Sequence, residues 1–495
     1  MSKEIKFGTD GWRAIIGKDF NLRNVEAVAQ AIVDYLKLDT RYKRLDTKVA
    51  VGYDTRKLSA EAARRISGVL AGNKIKVILS DRPLPTQAIS YTVRSRRCAA
   101  GIMVTASHNS ARFNGIKIKG AFGGPLESGI TDKIERFIFK HKPVKISIHQ
   151  ARKSSLLEVA DLVCGYLKFL KSYLDMRLLK KGRLKVLVDS MHGTADSYIA
   201  RVLKDTPCKV TTIHKDRDPS FGGIKPEPIL PCLREAASLI RRRRFDVGLA
   251  CDGDADRIAA FDSRGRFINP QQVISLLLLH LLRHRKLKGA VVKTIAGTAL
   301  LERIAKKYKL KIYETPIGFK HISRLMQKKD ILIGGEEAGG IGFKNYLPER
   351  DGILAGLLLL EMLLAENKSI EALLEEREKE FGRCFYLRKD LQCSPQDKDK
   401  VKAKLANLRK RKSFLRIKIN KVKDYDGLKF YLAGGSWVLF RLSGTEPLLR
   451  IYAESDSLVK TRSLITEGAR VLSLRAPKGR DNLKKGLLRR YRSSQ

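Results

Sequence analysis

The feature that most constrains this chain is an alternation. Short apolar runs of strand character are followed by helical periods through most of its 495 residues. Lys48–Tyr53 reads as a strand, Ser59–Leu70 as a helix, and Lys74–Leu79 and Ala99–Val104 as further strands. Leu184–Asp189, Asp246–Cys251, Ala290–Thr294 and Ile331–Ile333 repeat the strand pattern, each running into a polar loop. Such alternation predicts α/β units with mostly parallel sheets. Ligands in such folds gather at the carboxyl ends of the strands. The pattern recurs about three times, as expected of a chain with room for roughly three or four domains. The fold class expected is therefore three similar α/β domains plus a smaller C-terminal α+β domain. Turn-rich or charged stretches at Lys140–Ser155, Asp262–Arg266 and Glu366–Lys379 divide the chain into 1–150, 156–264, 265–378 and 379–495.

Charge restricts the partners. The chain carries 99 Lys+Arg against 52 Asp+Glu, a net charge of +47. A balance this basic fits nucleic-acid binding, steering of anionic small substrates, or a surface bias with no partner behind it. The dense runs are short (Arg241–Arg244, Arg409–Lys412 and Lys484–Arg492), and neither an RNA-binding aromatic signature nor zinc-finger spacing accompanies them. No specific nucleic acid is expected. Seven scattered cysteines without a C-x-x-C pair argue against a disulfide framework and a structural zinc site. The start, Met1–Lys6, lacks an apolar signal core. The longest apolar stretches, Val273–Leu282 and Ile353–Ala365, are too short or interrupted to span a bilayer and read as buried helices. A cytoplasmic protein without membrane contact is expected.

Five loops carry candidate chemistry. Thr105-Ala106-Ser107-His108-Asn109 continues to Asn114-Gly115-Ile116-Lys117. A serine just past a buried strand can act as an exposed nucleophile if a base or a transferred phosphoryl group is at hand, and His108 and Lys117 are within reach. Ser and Asn in such a place also simply cap turns. Asp252-Gly253-Asp254-Ala255-Asp256-Arg257 places three carboxylates at alternate positions after a strand. They can converge on one hard cation, and all-oxygen ligation suits magnesium better than zinc. An EF-hand is ruled out, because Arg257 stands where the glycine belongs and Ser263 where the glutamate belongs. Gly334–Gly340 holds Glu336 and Glu337 among glycines that let a ligand approach closely. Arg441-Leu442-Ser443-Gly444-Thr445-Glu446-Pro447 offers a guanidinium, two hydroxyls and a glycine turn, the makings of a phosphate cradle. Phe7–Arg13 sets an arginine in a glycine-bounded loop, which is equally well a surface turn. Together the loops suit an enzyme that handles a phosphorylated sugar and moves a phosphoryl group.

From Phe7 to about Glu454 the sequence resembles the α-D-phosphohexomutases, with the motifs in that family's order. Asp218–Gly223 followed by Pro226-Glu227-Pro228, and Pro316–Lys320, add to the match. The resemblance implies a heart-shaped, four-domain fold with the site in a central cleft. It implies an intramolecular phosphotransferase in which phosphorylated Ser107 donates to a hexose monophosphate, the 1,6-bisphosphate turns over, and the other phosphoryl group returns to Ser107. Mg²⁺ would be held by Asp252, Asp254 and Asp256 together with Ser107, and glucose 1,6-bisphosphate, or the matching hexose bisphosphate, would be the activator. Lys117, His108 and Arg257 would assist phosphoryl and proton transfer, and Arg13 would stabilise the phosphoserine region. Arg441, Ser443, Gly444 and Thr445 would clamp the unreacting phosphate, and Glu336 and Lys320 would bind the sugar phosphate. A monomer or dimer is expected.

Two positions depart from the family pattern. Ser110 stands where proline is usual, and Ala338 where serine is usual, removing a hydroxyl from the sugar loop. The loop Gly335–Gly340, with Pro348–Gly352 after it, resembles members acting on glucose or mannose phosphates. Phosphoglucosamine mutases usually show Gln and then Ser-Gly-His there, so glucosamine ranks third. A basic nucleic-acid-binding protein on a repurposed mutase scaffold, and a sugar phosphate phosphatase side activity, are the competing readings.

Overall fold

A computed structural model describes residues 5–38, 47–444 and 447–472. The chain forms two compact units, Met1–Gly382 and Arg383–Gln495.

The first unit is built on three sheets. The first holds β1 (Trp12–Ile15), β2 (Lys48–Tyr53), β3 (Lys76–Ser80), β4 (Ala100–Val104), β5 (Phe113–Gly120) and β6 (Leu157–Ala160), in the order β1-β5-β4-β2-β3-β6. The second holds β7 (Lys185–Asp189), β8 (Lys209–Ile213), β9 (Val247–Cys251), β10 (Ile258–Phe261) and β11 (Phe267–Ile268), in the order β11-β10-β9-β7-β8. The third holds β12 (Ala290–Thr294), β13 (Ile312–Thr315), β14 (Ile331–Gly335) and β15 (Ile341–Phe343), in the order β13-β12-β14-β15. One motif is thus used three times. Two parallel pairings join the first strand to its neighbours, and a fourth strand folds back antiparallel on the third.

The fold-back strands depart from the mostly parallel sheets that the alternation predicts. A parallel return needs a crossover of a dozen or more residues, whereas the loops after β4, β9 and β14 are shorter and can only close hairpins. The parallel strands are continuous apolar runs because both faces are covered. All residues of Ala100–Val104, Val247–Cys251 and Ala290–Thr294 are buried. Helices Leu22–Leu38 and Ser59–Gly72 cover the first sheet. Both long apolar stretches are helices, Pro270–Arg283 and Gly352–Glu366. Asn269 and Gln272 form a capping box ahead of the first, and Asp351 Oδ1 accepts from Leu354 N at 2.8 Å to start the second. Among the described residues, no helix is long and apolar enough to cross a membrane.

The second unit is a wholly antiparallel sheet of β16 (Phe385–Gln392), β17 (Ser413–Phe414), β18 (Ile417–Lys423), β19 (Leu428–Leu432), β20 (Trp437–Leu442) and β21 (Leu448–Ser455), in the order β16-β21-β20-β19-β18-β17. Leu464, Ile465 and Leu472 of helix Leu458–Leu472 share its core with Phe440 and Ile451.

Candidate active site

Each of the three fold-back hairpins carries one of the acidic or hydroxylic loops at its tip. Ser107 lies between β4 and β5, Asp252–Arg257 between β9 and β10, and Glu336–Gly340 between β14 and β15. The register of β1 on β5 sets Arg13 opposite Gly115, which brings the N-terminal loop to the same place.

Ser107 is fully buried and adopts a left-handed backbone at φ 52°. Its Oγ donates to Asp252 Oδ2 at 2.7 Å and lies 3.4 Å from His108 Nδ1. Asp252 Oδ1 accepts from Arg257 N at 3.1 Å. Thr86 Oγ1 donates to Asp254 Oδ2 at 2.6 Å, and Arg13 Nη1 to Asn109 Oδ1 at 2.7 Å. The loops are seated backbone to backbone. A Cβ on Gly253 would stand 2.6 Å from Ser107 O, and one on Gly193, after β7, 2.7 Å from Gly253 O.

The charges interlock. Lys117 Nζ lies 2.9 Å from Asp10 Oδ2, 2.7 Å from Asp254 Oδ2 and 2.6 Å from Asp256 Oδ2. Burial would lower its pKa, but the three carboxylates outweigh that and hold the ammonium above its usual range. Arg350 pairs with Asp10, with Asp256 Oδ2 at 2.8 Å and with Glu336 Oε2 at 2.6 Å. Glu336 and Asp256 thereby share one guanidinium. Burial pushes the Asp252 carboxyl up to about 8, helped by Asp256 and Asp254 beside it. Asp256 meets the same burial, but Arg350 and Lys117 hold its carboxyl below the usual range. Burial raises Glu336 against the pull of Arg350, and lowers Arg13 and Lys320.

Three buried polar atoms of the aspartate loop have no hydrogen-bond partner among the described residues: Asp254 Oδ1, Asp256 Oδ1 and Arg257 Nε. Arg257 Nε stands 3.9 Å from Asp252 Oδ2 and 4.0 Å from Asp256 Oδ1. One carboxylate oxygen from each of Asp252, Asp254 and Asp256 lies within 4.8 Å of the others. Orphaned buried carboxylate oxygens in an all-oxygen set fit a hard divalent cation, and the unpartnered Arg257 Nε fits an anion. A serine oxygen at 2.7 Å from such a carboxylate set can receive or release a phosphoryl group.

Family profiles cover most of the chain. The one described as phosphoglucomutase/phosphomannomutase, alpha/beta/alpha domain I matches residues 4–145, domain II matches 164–265, domain III matches 269–381, and the C-terminal domain matches 396–470. A Thermococcus kodakarensis protein named phosphoglucomutase/phosphomannomutase is 30% identical over 470 residues, covering 94% of this chain and 98% of its own length. The chain belongs to the phosphoglucomutase/phosphomannomutase family. It is a phosphohexomutase, an isomerase that transfers a phosphoryl group within a sugar phosphate. A Sulfurisphaera tokodaii phosphoglucosamine/phosphogalactosamine mutase is 28% identical over 465 residues, covering 93% of this chain and 97% of its own. The solved structure of a Thermus thermophilus protein assigned as a phosphomannomutase superposes with a TM-score of 0.84 at 33% identity, covering 95% of this chain and all of that one.

Within this phosphohexomutase, Ser107, Arg13 and Lys117 fall in the part matched to domain I, Asp252–Arg257 in domain II, and Lys320 and Glu336 in domain III. Lys320 is the second residue of helix Phe319–Lys328, which follows Gly318 at φ 129°. Arg441, Ser443 and Gly444 fall in the C-terminal domain and belong to the second unit. There Arg441 Nε donates to Asp426 Oδ1 at 2.8 Å, Ser443 N donates to Leu448 O at 2.8 Å, and among the described residues beyond its chain neighbours nothing lies within 4 Å of a Cβ on Gly444. Thr445 and the basic run Lys484–Arg492 lie outside the described residues. Sequence reasoning missed Asp10, Arg56, Thr86 and Arg350. Arg350 was visible only as part of Pro348–Gly352, and Arg56 as an Asp-x-Arg step directly after β2.

Proposed function

We propose that the protein interconverts hexose 1-phosphates and hexose 6-phosphates through a phosphoserine at Ser107 and a 1,6-bisphosphate intermediate, with glucose and mannose phosphates as the substrates. The observation that carries this is the 2.7 Å contact between Ser107 Oγ and Asp252, inside a triad with two orphaned oxygens. In the first half-reaction the Oγ–P bond of Ser107 breaks as a sugar hydroxyl oxygen bonds to phosphorus; in the second the other sugar O–P bond of the bisphosphate breaks as Ser107 Oγ bonds to phosphorus. In each step the attacking hydroxyl gives up a proton as the leaving oxygen takes one up, so charge and protons balance. Lys117, held as an ammonium, is the proton donor beside the loop, with His108 next to it. Arg257 and Arg13 face the phosphoryl oxygens, Glu336 takes sugar hydroxyls with Lys320 beside it, and Arg441, Ser443, Gly444 and Thr445 hold the unreacting phosphate. Mg²⁺ bound by Asp252, Asp254 and Asp256 supplies charge neutralisation at the phosphoryl group. The matching hexose bisphosphate primes Ser107. The domain divisions 1–150, 156–264, 265–378 and 379–495 assign one of these loops to each domain.

A coupled assay for glucose 6-phosphate from glucose 1-phosphate, with Mg²⁺ and trace glucose 1,6-bisphosphate, tests the proposal. Turnover that disappears in Ser107→Ala is the expected result. Wild-type silence on glucose, mannose and glucosamine 1-phosphates alike would overturn it, and activity on glucosamine alone would replace the substrate.

A further inference from the structure

Beneath the Ser107 loop lies a buried arginine that plays no part in the chemistry above. Arg56 is 3% exposed, and all five of its side-chain N–H donors are engaged. Nε donates to Asp54 Oδ2 at 3.1 Å. Nη1 donates to Ser110 O at 2.8 Å and Phe113 O at 3.0 Å. Nη2 donates to Ser107 O at 2.5 Å and Asn109 O at 2.6 Å. Three carbonyls of the loop and that of Phe113, at the start of β5, thus converge on one planar group. Asp54 is fixed in turn by Ser59 Oγ at 2.6 Å, and the Phe221 ring from the second sheet's domain covers the guanidinium at 4.6 Å.

We infer that Arg56 is a positioning residue for phosphoryl transfer: it holds Ser107 in the geometry in which Oγ faces Asp252. The inference rests on the phosphoserine reading. Ser107 sits in the left-handed region, which is strained for a residue with a Cβ and persists only where the surroundings over-determine it. The surroundings here are the Arg56 fork on the carbonyl side and the Thr105 Oγ1 contact to Ser107 N at 2.9 Å. While its carbonyls are held on Arg56, the loop keeps Ser107 Oγ at 2.7 Å from Asp252 Oδ2. A lysine cannot replace the fork, because an ammonium is a point charge with three donors. Ser110, where the family usually has proline, gives its carbonyl to this same fork.

The test compares wild type, Arg56→Lys, Arg56→Ala and Arg377→Met. Arg377 is buried in the same unit, where its Nη1 donates to Ser275 Oγ at 3.2 Å, and serves as the stability control. Arg56→Lys is expected to lose about 10²-fold in kcat with KM for the sugar phosphate changed less than about twofold. Its phosphoserine occupancy after incubation with glucose 1,6-bisphosphate should fall in step. Added methylguanidinium should restore Arg56→Ala at least tenfold and leave Arg377→Met unchanged. Amide exchange over 105–113 should accelerate in Arg56→Lys, a readout that needs no sugar. Wild-type kcat in Arg56→Lys, unchanged exchange, or a loss that only tracks Tm as in Arg377→Met would overturn the inference. An inactive, unphosphorylated wild type would instead overturn the phosphoserine reading, leaving exchange to decide the role of Arg56.

Discussion

In the loops of the first unit, Gly253, Gly193 and Gly340 each have an atom within 3 Å of the position a Cβ would take, whereas Gly444 in the second unit has none within 4 Å among the described residues beyond its chain neighbours. The charges differ in the same sense. Lys117 and Arg350 are each shared among three carboxylates, of which Asp10 is half-buried and the others buried, while Arg441 is held through Nε by Asp426. The first region is assembled before any substrate arrives, as transition-state stabilisation requires. The second is the proposed clamp for the unreacting phosphate, a group that arrives and departs with each substrate. Substitutions in the first should therefore act on kcat and on folding, and substitutions in the second on KM.

The largest effect expected is at the metal loop. Asp254→Asn should lose about 10³-fold in kcat and bind Mg²⁺ weakly by calorimetry, while Arg441→Met should raise KM about tenfold with kcat nearly unchanged. Equal kcat losses would erase the contrast. Next comes Arg350→Met, which leaves Asp10, Asp256 and Glu336 without their shared cation. Denaturant unfolding should show about 3–5 kcal/mol of lost stability in the first unit. A third test asks whether dense pairing is confined to the site. Away from it, Glu361 accepts from His280 Nε2 at 2.9 Å and from Arg285 Nη2 at 2.6 Å. Burial would raise its carboxyl, but those two partners lower it to about 2. A depressed carboxyl stabilises the fold above its unfolded value near 4.5, and that contribution is lost as pH falls toward 2. His280, whose imidazole burial lowers, adds to the loss on acidification below about 6.5. Glu361→Gln should cost about 3 kcal/mol at pH 7, and the gap to wild type should close between about pH 4.5 and 2 in acid unfolding curves. The smallest effect sharpens the comparison most directly. Gly253→Ala should lower kcat about tenfold through Ser107 O, and Gly444→Ala should change kcat and KM less than about twofold.

The parallel strands were legible because both their faces are covered, so each reads as an unbroken apolar run. Lys48–Tyr53 and Ala290–Thr294 run as read, and the remaining strands shift by one or two residues. The fold-back strands were harder to see. In β5 the sequence Ile116-Lys117-Ile118-Lys119 alternates as a half-exposed strand would, with lysines toward water. Both lysines are buried, because acids from later in the chain line the face they point to. Single-residue reasoning cannot supply a partner that lies 139 or 230 positions away. The same limit hid Arg350 and Arg56, whose partners are respectively three carboxylates from other loops and four backbone carbonyls. The loops themselves were readable, since Ser107, Asp252, Asp254, Asp256 and Glu336 each follow a strand that could be identified.

The buried lysines of β5 also bear on how the molecule comes off the ribosome. Lys119 leaves the exit tunnel long before Glu349, and Lys117, with only Asp10 already made, long before Asp254 and Asp256; a desolvated ammonium without its partner costs several kcal/mol. At roughly 5–20 residues per second, Glu349 follows Lys119 by roughly 10–50 s. For that interval the amino-terminal sheet has all its strands but an uncovered face at Lys119, solvated where the mature enzyme is dry. Its final closure awaits synthesis of the third sheet, which makes the order of translation part of the assembly of the active site.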